Sequence, residues 1–258
     1  MIETPLLINR FARAMATYER EATIQRQEAE RLTELLGAHC HLLAPRILEI
    51  GCGTGMLSRQ LMARFAPREL VLNDLCPDME ICFANVPRTT FLSGDARTLA
   101  WPGPFDLIAS ASAVQWLGDL ATFAQRCDAV LNPGGFIAIS GFGPNTLRET
   151  AELTGSALAY PSPETFERTL SAAFEPLATE HRLHSLTFPD AYAVLRHLKA
   201  TGVTATGGSQ GPWTRGRMET FASAYAHRFP AEGGGVRLTY ETCLFVGRKL
   251  ARSARDNG

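Results

Sequence analysis

Three glycines at alternate positions follow an acid: Glu49-Ile50-Gly51-Cys52-Gly53-Thr54-Gly55. With no Cβ at those positions the backbone can approach a ligand closely, and a helix starting directly afterwards leaves its first N–H groups free to hold a carboxylate or phosphate. The spacing separates one ligand class from another. A dinucleotide turn, G-x-G-x-x-G, would put its third glycine at 56; this chain has Met56 there and its glycine one residue early, so a nicotinamide dinucleotide is the weaker reading. Asp74 stands about twenty residues further on, where a carboxylate can accept from both hydroxyls of a ribose. Gly94-Asp95-Ala96 offers another acid, and Gln115, Trp116 and Arg148 supply an amide that can orient an oxygen, a ring that can exclude water and a guanidinium that can grip a carboxylate in two places.

These residues need a scaffold that brings them to one edge, and the hydrophobic pattern predicts it. A short apolar strand, Arg46 to Ile50, runs into the glycines, and a helix carrying Leu57, Leu61 and Met62 follows. Strands are expected at Glu69 to Asn73, Thr89 to Ser93, Phe105 to Ser110 and Phe136 to Gly141, with helices near Asp78 to Ala84 and from Leu117 to Leu131. The second helix should end at Asn132-Pro133-Gly134-Gly135. Such alternation makes an α/β fold with a doubly wound, mostly parallel sheet, in which ligands collect at the carboxyl ends of the strands. Glu49, Asp74, Asp95 and Ser110 all fall at such ends.

Ahead of this core, apolar positions between Phe11 and Leu36 recur at helical spacing and predict one or two amphipathic helices carrying Tyr18 and Gln25. Beyond Gly143 a polar segment runs through Asn145, and a helix is announced by Ser162-Pro163-Glu164, with the serine as N-cap. A strand near Leu177 to Phe188, helices at Asp190 to Thr201 and Arg215 to Phe229, a glycine-rich connection from Gly202 to Gly216 and a last strand from Val236 to Val246 complete the reading.

At 258 residues and 45% hydrophobic, the chain can bury a substantial core, which excludes a disordered or fibrous protein. A formal charge of −1 gives no bulk attraction to nucleic acid or membrane, and there is no apolar run of about 18 residues. The six cysteines, at 40, 52, 76, 82, 127 and 243, form no C-x-x-C pair, so neither a metal site nor a disulfide framework is expected, and a soluble cytoplasmic protein is. The six histidines make no evident nucleophile–base pair.

The acid, the glycine turn, Asp74 and Gly94-Asp95-Ala96 in this order resemble the class I S-adenosylmethionine-dependent methyltransferases, a Rossmann-like fold with a seven-stranded sheet. The resemblance implies S-adenosylmethionine as cofactor. It places Glu49 on the methionyl moiety, Gly51, Cys52, Gly53 and Gly55 around it, Asp74 on the ribose, Asp95 and Ala96 at the adenine, and Ser110 at the fourth strand end. Five further runs narrow it to the malonyl-acyl carrier protein O-methyltransferases of biotin synthesis. They are Phe11 to Gln25 with Tyr18, Ser112 to Leu117 with Gln115 and Trp116, Asn145 to Glu149, Val194 to Val203, and Leu238 to Glu241.

That family implies a malonyl thioester on acyl carrier protein, or on coenzyme A, as acceptor. A malonyl carboxylate is ionised at neutral pH, so no residue is needed as general base. Arg148 is the candidate clamp for it, with Tyr18, Gln115 and Trp116 lining the acceptor side. The expected organisation is one methyltransferase domain over 1–258: an N-terminal helical cover (1–44), a cofactor-binding core (45–143), a substrate-side elaboration with helical lid elements (144–235) and a final strand (236–250). The alternative is a methyltransferase acting on another small-molecule carboxylate or on a hydroxyl, and a hydroxyl would require a base near the methyl group.

Overall fold

The computed structural model describes residues 4–202 and 214–250. Most of the expected Gly202 to Gly216 connection, with Val203, lies outside the described residues. The elements are α1 (Thr4–Glu21), α2 (Thr23–His39), β1 (Arg46–Ile50), α3 (Met56–Phe65), β2 (Glu69–Asp74), β3 (Thr89–Ser93), β4 (Phe105–Ser110), α4 (Leu120–Val130), β5 (Leu131–Phe142), α5 (Arg148–Thr154), α6 (Pro163–Ser171), β6 (Phe174–Phe188), α7 (Ala191–Ala200), α8 (Arg215–Arg228) and β7 (Val236–Lys249). Short 3-10 turns stand at Pro77–Phe83 and Val114–Trp116. The seven strands run in the order β3-β2-β1-β4-β5-β7-β6, and the pairs β3-β2, β2-β1, β1-β4 and β4-β5 are parallel. This is the α/β sheet the pattern predicts. No helix among the described residues is long and apolar enough to cross a membrane.

The chain divides into two compact units. The first comprises Met1–Ile24, Phe142–Pro161 and Arg182–Thr242; the second comprises Gln25–Gly141, Ser162–His181 and Cys243–Gly258. In the second unit the central strands are apolar on both sides, as strands covered on two faces must be. Leu48, Ile50, Val71, Ile108, Ile137 and Ile139 share one core with Phe123 and Cys127 of α4 and Phe166 and Leu170 of α6. Alternate residues, Ile47, Leu70, Leu72, Leu107 and Ala138, share the other with Leu57 and Leu61 of α3 and Leu32 and Leu36 of α2. In the first unit Phe142, Val194, Leu198, Phe221, Tyr225, Leu238 and Tyr240 form a third core, and Thr17 of α1 donates to the Ala200 carbonyl of α7 at 3.2 Å.

Several boundaries follow the residues that set them. Ser162 caps α6, accepting from the Thr165 N–H, with Pro163 in the first turn as expected. α4 begins at Leu120 and not at Leu117, because Gly118 takes φ +83 and Asp119 caps by accepting from the Thr122 N–H. The expected helix after Asp74 is a 3-10 turn. β5 starts at Leu131, five residues early: Phe105 pairs with Leu131 and Leu107 with Phe136, so Asn132-Pro133-Gly134-Gly135 bulges from within the strand. α5 is an element the sequence pattern does not announce. Its seven residues follow Leu147, held at φ +58 in the left-handed region.

Candidate active site

The glycine turn sits where β1 ends and α3 begins, and its glycines serve different purposes. The N–H groups of Gly51 and Cys52 both donate to the Asn73 carbonyl at the end of β2, at 2.8 and 3.0 Å. Gly51 has φ +70, and a Cβ on it would stand 2.4 Å from that of Ala113. Gly53 has φ +50, its N–H donates to Asp74 Oδ2 at 2.8 Å, and a Cβ on it would meet nothing within 4 Å among the described residues beyond its chain neighbours. A glycine needing room only for itself would face protein; Gly53 faces open space, which is the condition for close approach of a ligand. Gly55 starts α3 against the Phe83 ring.

Glu49 is buried at 1% exposure and its Oε2 has no hydrogen-bond partner among the described residues. Burial pushes its carboxyl up to about 8; the Ser58 hydroxyl pulls it back and Asp74 adds repulsion. Asp74 is also held above the usual carboxylate range by burial, against the pull of the Cys76 and Gly53 N–H groups. Its Oδ1 accepts from the Cys76 N–H at 2.8 Å, an Asx turn, and the Leu75 N–H also pulls on the carboxylate. Asn73 is buried, and its side-chain amide donates to the carbonyls of Leu92 and Gly94, fixing the end of β3 beside that of β2.

Asp95 follows β3 and is bound by the Arg97 guanidinium, which lowers its carboxyl. Ala96 is buried in the core with Val71 and Leu48, so its methyl group is packing material. The Ser110 hydroxyl is fully buried and donates to the Ile50 carbonyl at 2.8 Å, joining the ends of β4 and β1. Cys52 is buried, and burial raises its thiol. Trp116 is half-buried in the turn Val114–Trp116. Gln115 donates from Nε2 to the Ser112 carbonyl at 2.6 Å, while its Oε1 is buried with no hydrogen-bond partner among the described residues. All of these belong to the second unit.

Tyr18 and Arg148 belong to the first unit. Tyr18 is half-buried near the end of α1, whereas Gln25 stands on a separate helix, α2, and is buried at 5% exposure in the second unit, so the two do not share a helix face. Arg148 is about half exposed, its Nε 3.6 Å from Glu149 Oε1. Glu149 is fully buried: Thr239 donates to it from both its N–H and its hydroxyl, and Arg237 Nε lies 3.9 Å away. The runs Asn145 to Glu149 and Leu238 to Glu241 are thereby joined. Glu241 accepts from the Asn145 N–H and side-chain amide, and the Leu147 N–H donates to the Thr239 carbonyl. Of the basic residues in this unit, Arg215 pairs with Glu219 and Arg228 with Glu152.

One residue escapes the sequence reading. Glu28 of α2 is buried at 3% exposure, with Oε2 accepting from the Ser112 hydroxyl and Oε1 without a hydrogen-bond partner among the described residues. Burial pushes its carboxyl up to about 8, against the hydroxyls of Ser112 and Ser140. Its signal is positional: at four-residue spacing between Ile24 and Leu32, both buried, it occupies a stripe where an apolar residue is expected.

Two buried acids with raised values make a pH prediction. Both are neutral at low pH in either state; above about 4.5 the unfolded chain releases their protons while the folded protein holds them until about 8. Stability without ligand should fall across that window by up to roughly 1.4 kcal/mol per pH unit for each group. The melting temperature of Glu49→Gln relative to the native protein should rise steadily over the same range. A difference that stays constant with pH would contradict the assignment.

Comparison with known proteins agrees with this geometry. The family described as "Methyltransferase domain" matches residues 47–135, from β1 to the bulge in β5. The chain is similar to a malonyl-[acyl-carrier protein] O-methyltransferase of Bacteroides thetaiotaomicron, 39% identical over 255 residues covering 95% of this chain and 97% of that one. It is likewise similar to proteins of that name from Porphyromonas gingivalis, at 38% identity with 96% of each chain covered, and Acinetobacter baylyi, at 33% with 95% and 97% covered. Among solved structures, a putative methyltransferase from Bacillus halodurans superposes with a TM-score of 0.62 at 15% identity over 85% of this chain and 99% of that one. The YcgJ protein of Bacillus subtilis superposes with the same score and identity over 86% and 100%. The structures establish a class I, Rossmann-like methyltransferase fold, and the sequence relationship, sustained over almost the full length of both partners, places this chain in the malonyl-[acyl-carrier protein] O-methyltransferase family.

Proposed function

We propose that the protein transfers the methyl group of S-adenosylmethionine to the free carboxylate of a malonyl thioester carried on acyl carrier protein, an early step of biotin synthesis, in the cytoplasm. The observation that carries the cofactor half is Gly53: a left-handed backbone position open to space, with its N–H held by Asp74 and with the unpartnered oxygen of Glu49 buried one strand end away. The donor set fits an adenosyl amino acid. Backbone N–H groups at the start of α3 suit its carboxylate, the Asp74 carboxylate suits two ribose hydroxyls, and Glu49 suits the methionyl end. Asp95 and Ala96 are assigned to the adenine side, and Cys52 and Ser110 to the floor of the site. When bound, the cofactor supplies an electrophilic methyl group on a sulfonium.

The acceptor half rests on the names of the relatives and on the chemistry of Arg148. A guanidinium about half exposed, with its neighbouring acid satisfied by Thr239, retains donors for a second carboxylate. Its role is to hold and orient the malonyl carboxylate; no proton needs to move, because the nucleophile is already ionised. Gln115 and Trp116 orient the acceptor and exclude water, and Tyr18 covers it. Malonyl-coenzyme A is the simpler acceptor of the same chemistry.

Labelled methyl transfer to malonyl, succinyl and acetyl thioesters tests this reading. Malonyl should be the best acceptor, and acetyl, lacking the carboxylate, should be inert. Methylation of the acetyl thioester at a rate comparable to malonyl would remove carboxyl transfer from consideration.

A further inference from the structure

The unused oxygen of Glu28 asks for a ligand. A buried carboxyl with half its capacity unpaired is costly unless something completes it, and Glu28 Oε1 has no hydrogen-bond partner among the described residues while Oε2 is held by Ser112. The Ser112 turn is itself constrained: φ is +54 at a non-glycine residue, its N–H donates to Ser140 Oγ at 3.2 Å and its carbonyl accepts from Gln115. The next residue, Ala113, is the one whose Cβ bars any side chain at Gly51. Glu28 is therefore tied through the Ser112 hydroxyl to the segment that lies against the cofactor turn.

Gln115 sharpens the chemistry. Because its Nε2 must be the donor to the Ser112 carbonyl, its buried, unpartnered atom is an acceptor, Oε1. Two oxygens linked through Ser112 thus lack a donor. We propose that Glu28, seconded by Gln115, receives a cationic centre of the methyl donor, its ammonium or its sulfonium, and so fixes the donor against the Ser112–Ala113 segment. The inference rests on S-adenosylmethionine as cofactor. The groups acting on the Glu28 carboxyl are the uncharged hydroxyls of Ser112 on the loop after β4 and Ser140 on β5. With no cation beside it the carboxyl holds its proton at neutral pH; when a cation arrives the carboxylate is favoured and the proton is released to solvent.

Calorimetry on the full chain near neutral pH tests this, with S-adenosylmethionine and S-adenosylhomocysteine as ligands, in two buffers of different ionisation heat. The native protein should release protons on binding. Glu28→Gln should bind roughly tenfold to a hundredfold more weakly, the scale of one charge-assisted hydrogen bond, and release correspondingly fewer protons, with its unliganded melting temperature no lower than native. A loss shared by both ligands identifies the ammonium, and a loss confined to S-adenosylmethionine the sulfonium. Native affinity and native proton release in Glu28→Gln would overturn the proposal. Should that variant fail to fold, Glu28→Asp, which keeps the charge but withdraws it by one methylene, must weaken binding or the proposal fails. A native protein that binds neither ligand would instead overturn the cofactor reading beneath it.

Discussion

Gly53→Val is expected to lower the affinity for S-adenosylmethionine by at least about a hundredfold while the protein still folds. A β-branched residue at φ +50 is forced into the left-handed region, costing roughly 1–2 kcal/mol. Among the described residues nothing beyond the chain neighbours stands within 4 Å of the added Cβ, so the Cβ itself adds no clash to that strain. What the side chain fills is the space left for the ligand. Gly51→Val is the informative control, because a Cβ there collides with Ala113 and damages the fold itself. Calorimetric titration alongside thermal melting separates the two. A Gly53→Val protein that melts close to native and binds the cofactor normally would show that the turn does not seat it.

Arg148→Ala is expected to reduce kcat/KM for a malonyl thioester by roughly a hundredfold to a thousandfold, the usual consequence of removing one partner of a hydrogen-bonded charge pair. The affinity for S-adenosylmethionine should change by less than about twofold, since the side chain acts only on the acceptor. The fold should tolerate the change: Glu149 keeps both Thr239 donors and has Arg237 at 3.9 Å. Arg148→Lys retains the charge without the planar fork and should recover only part of the rate. Equal losses in cofactor affinity and in turnover, measured side by side, would remove the clamp from the mechanism.

The sheet and the turn at the end of β1 were legible because they are written in local chemistry. Strands apolar on both sides, a glycine turn between strand and helix, and a serine–proline cap each have one economical reading, and β1, α3 and α6 stand where that reading puts them. Gly118-Asp119 carried the start of α4 equally plainly, as a left-handed glycine and a capping acid, but helical periodicity from Leu117 masked it. α5 was not legible, because seven residues give barely two turns of pattern and the helix depends on Leu147 being pinned by its N–H to the Thr239 carbonyl, distant in sequence. Glu28 was hidden for a related reason. An acid on an amphipathic helix reads as solvated until the fold shows that Ser112, 84 residues away, is its partner. Position at a strand end singles out Asp95, yet the Arg97 ion pair that holds its carboxylate is invisible to strand-end logic.

The path of the chain through its two units constrains how this enzyme can be rebuilt. The polypeptide passes from one unit to the other five times, at 24/25, 141/142, 161/162, 181/182 and 242/243. Neither half can be excised as a continuous fragment, and truncation from either terminus removes material from only one of them at first. Moving the first unit between homologues would therefore require transplanting three separate stretches together, including the one that carries Arg148 and the one that carries Thr239. A library recombined at 161/162 or at 181/182 would part those two residues from each other and is expected to yield few active chimeras.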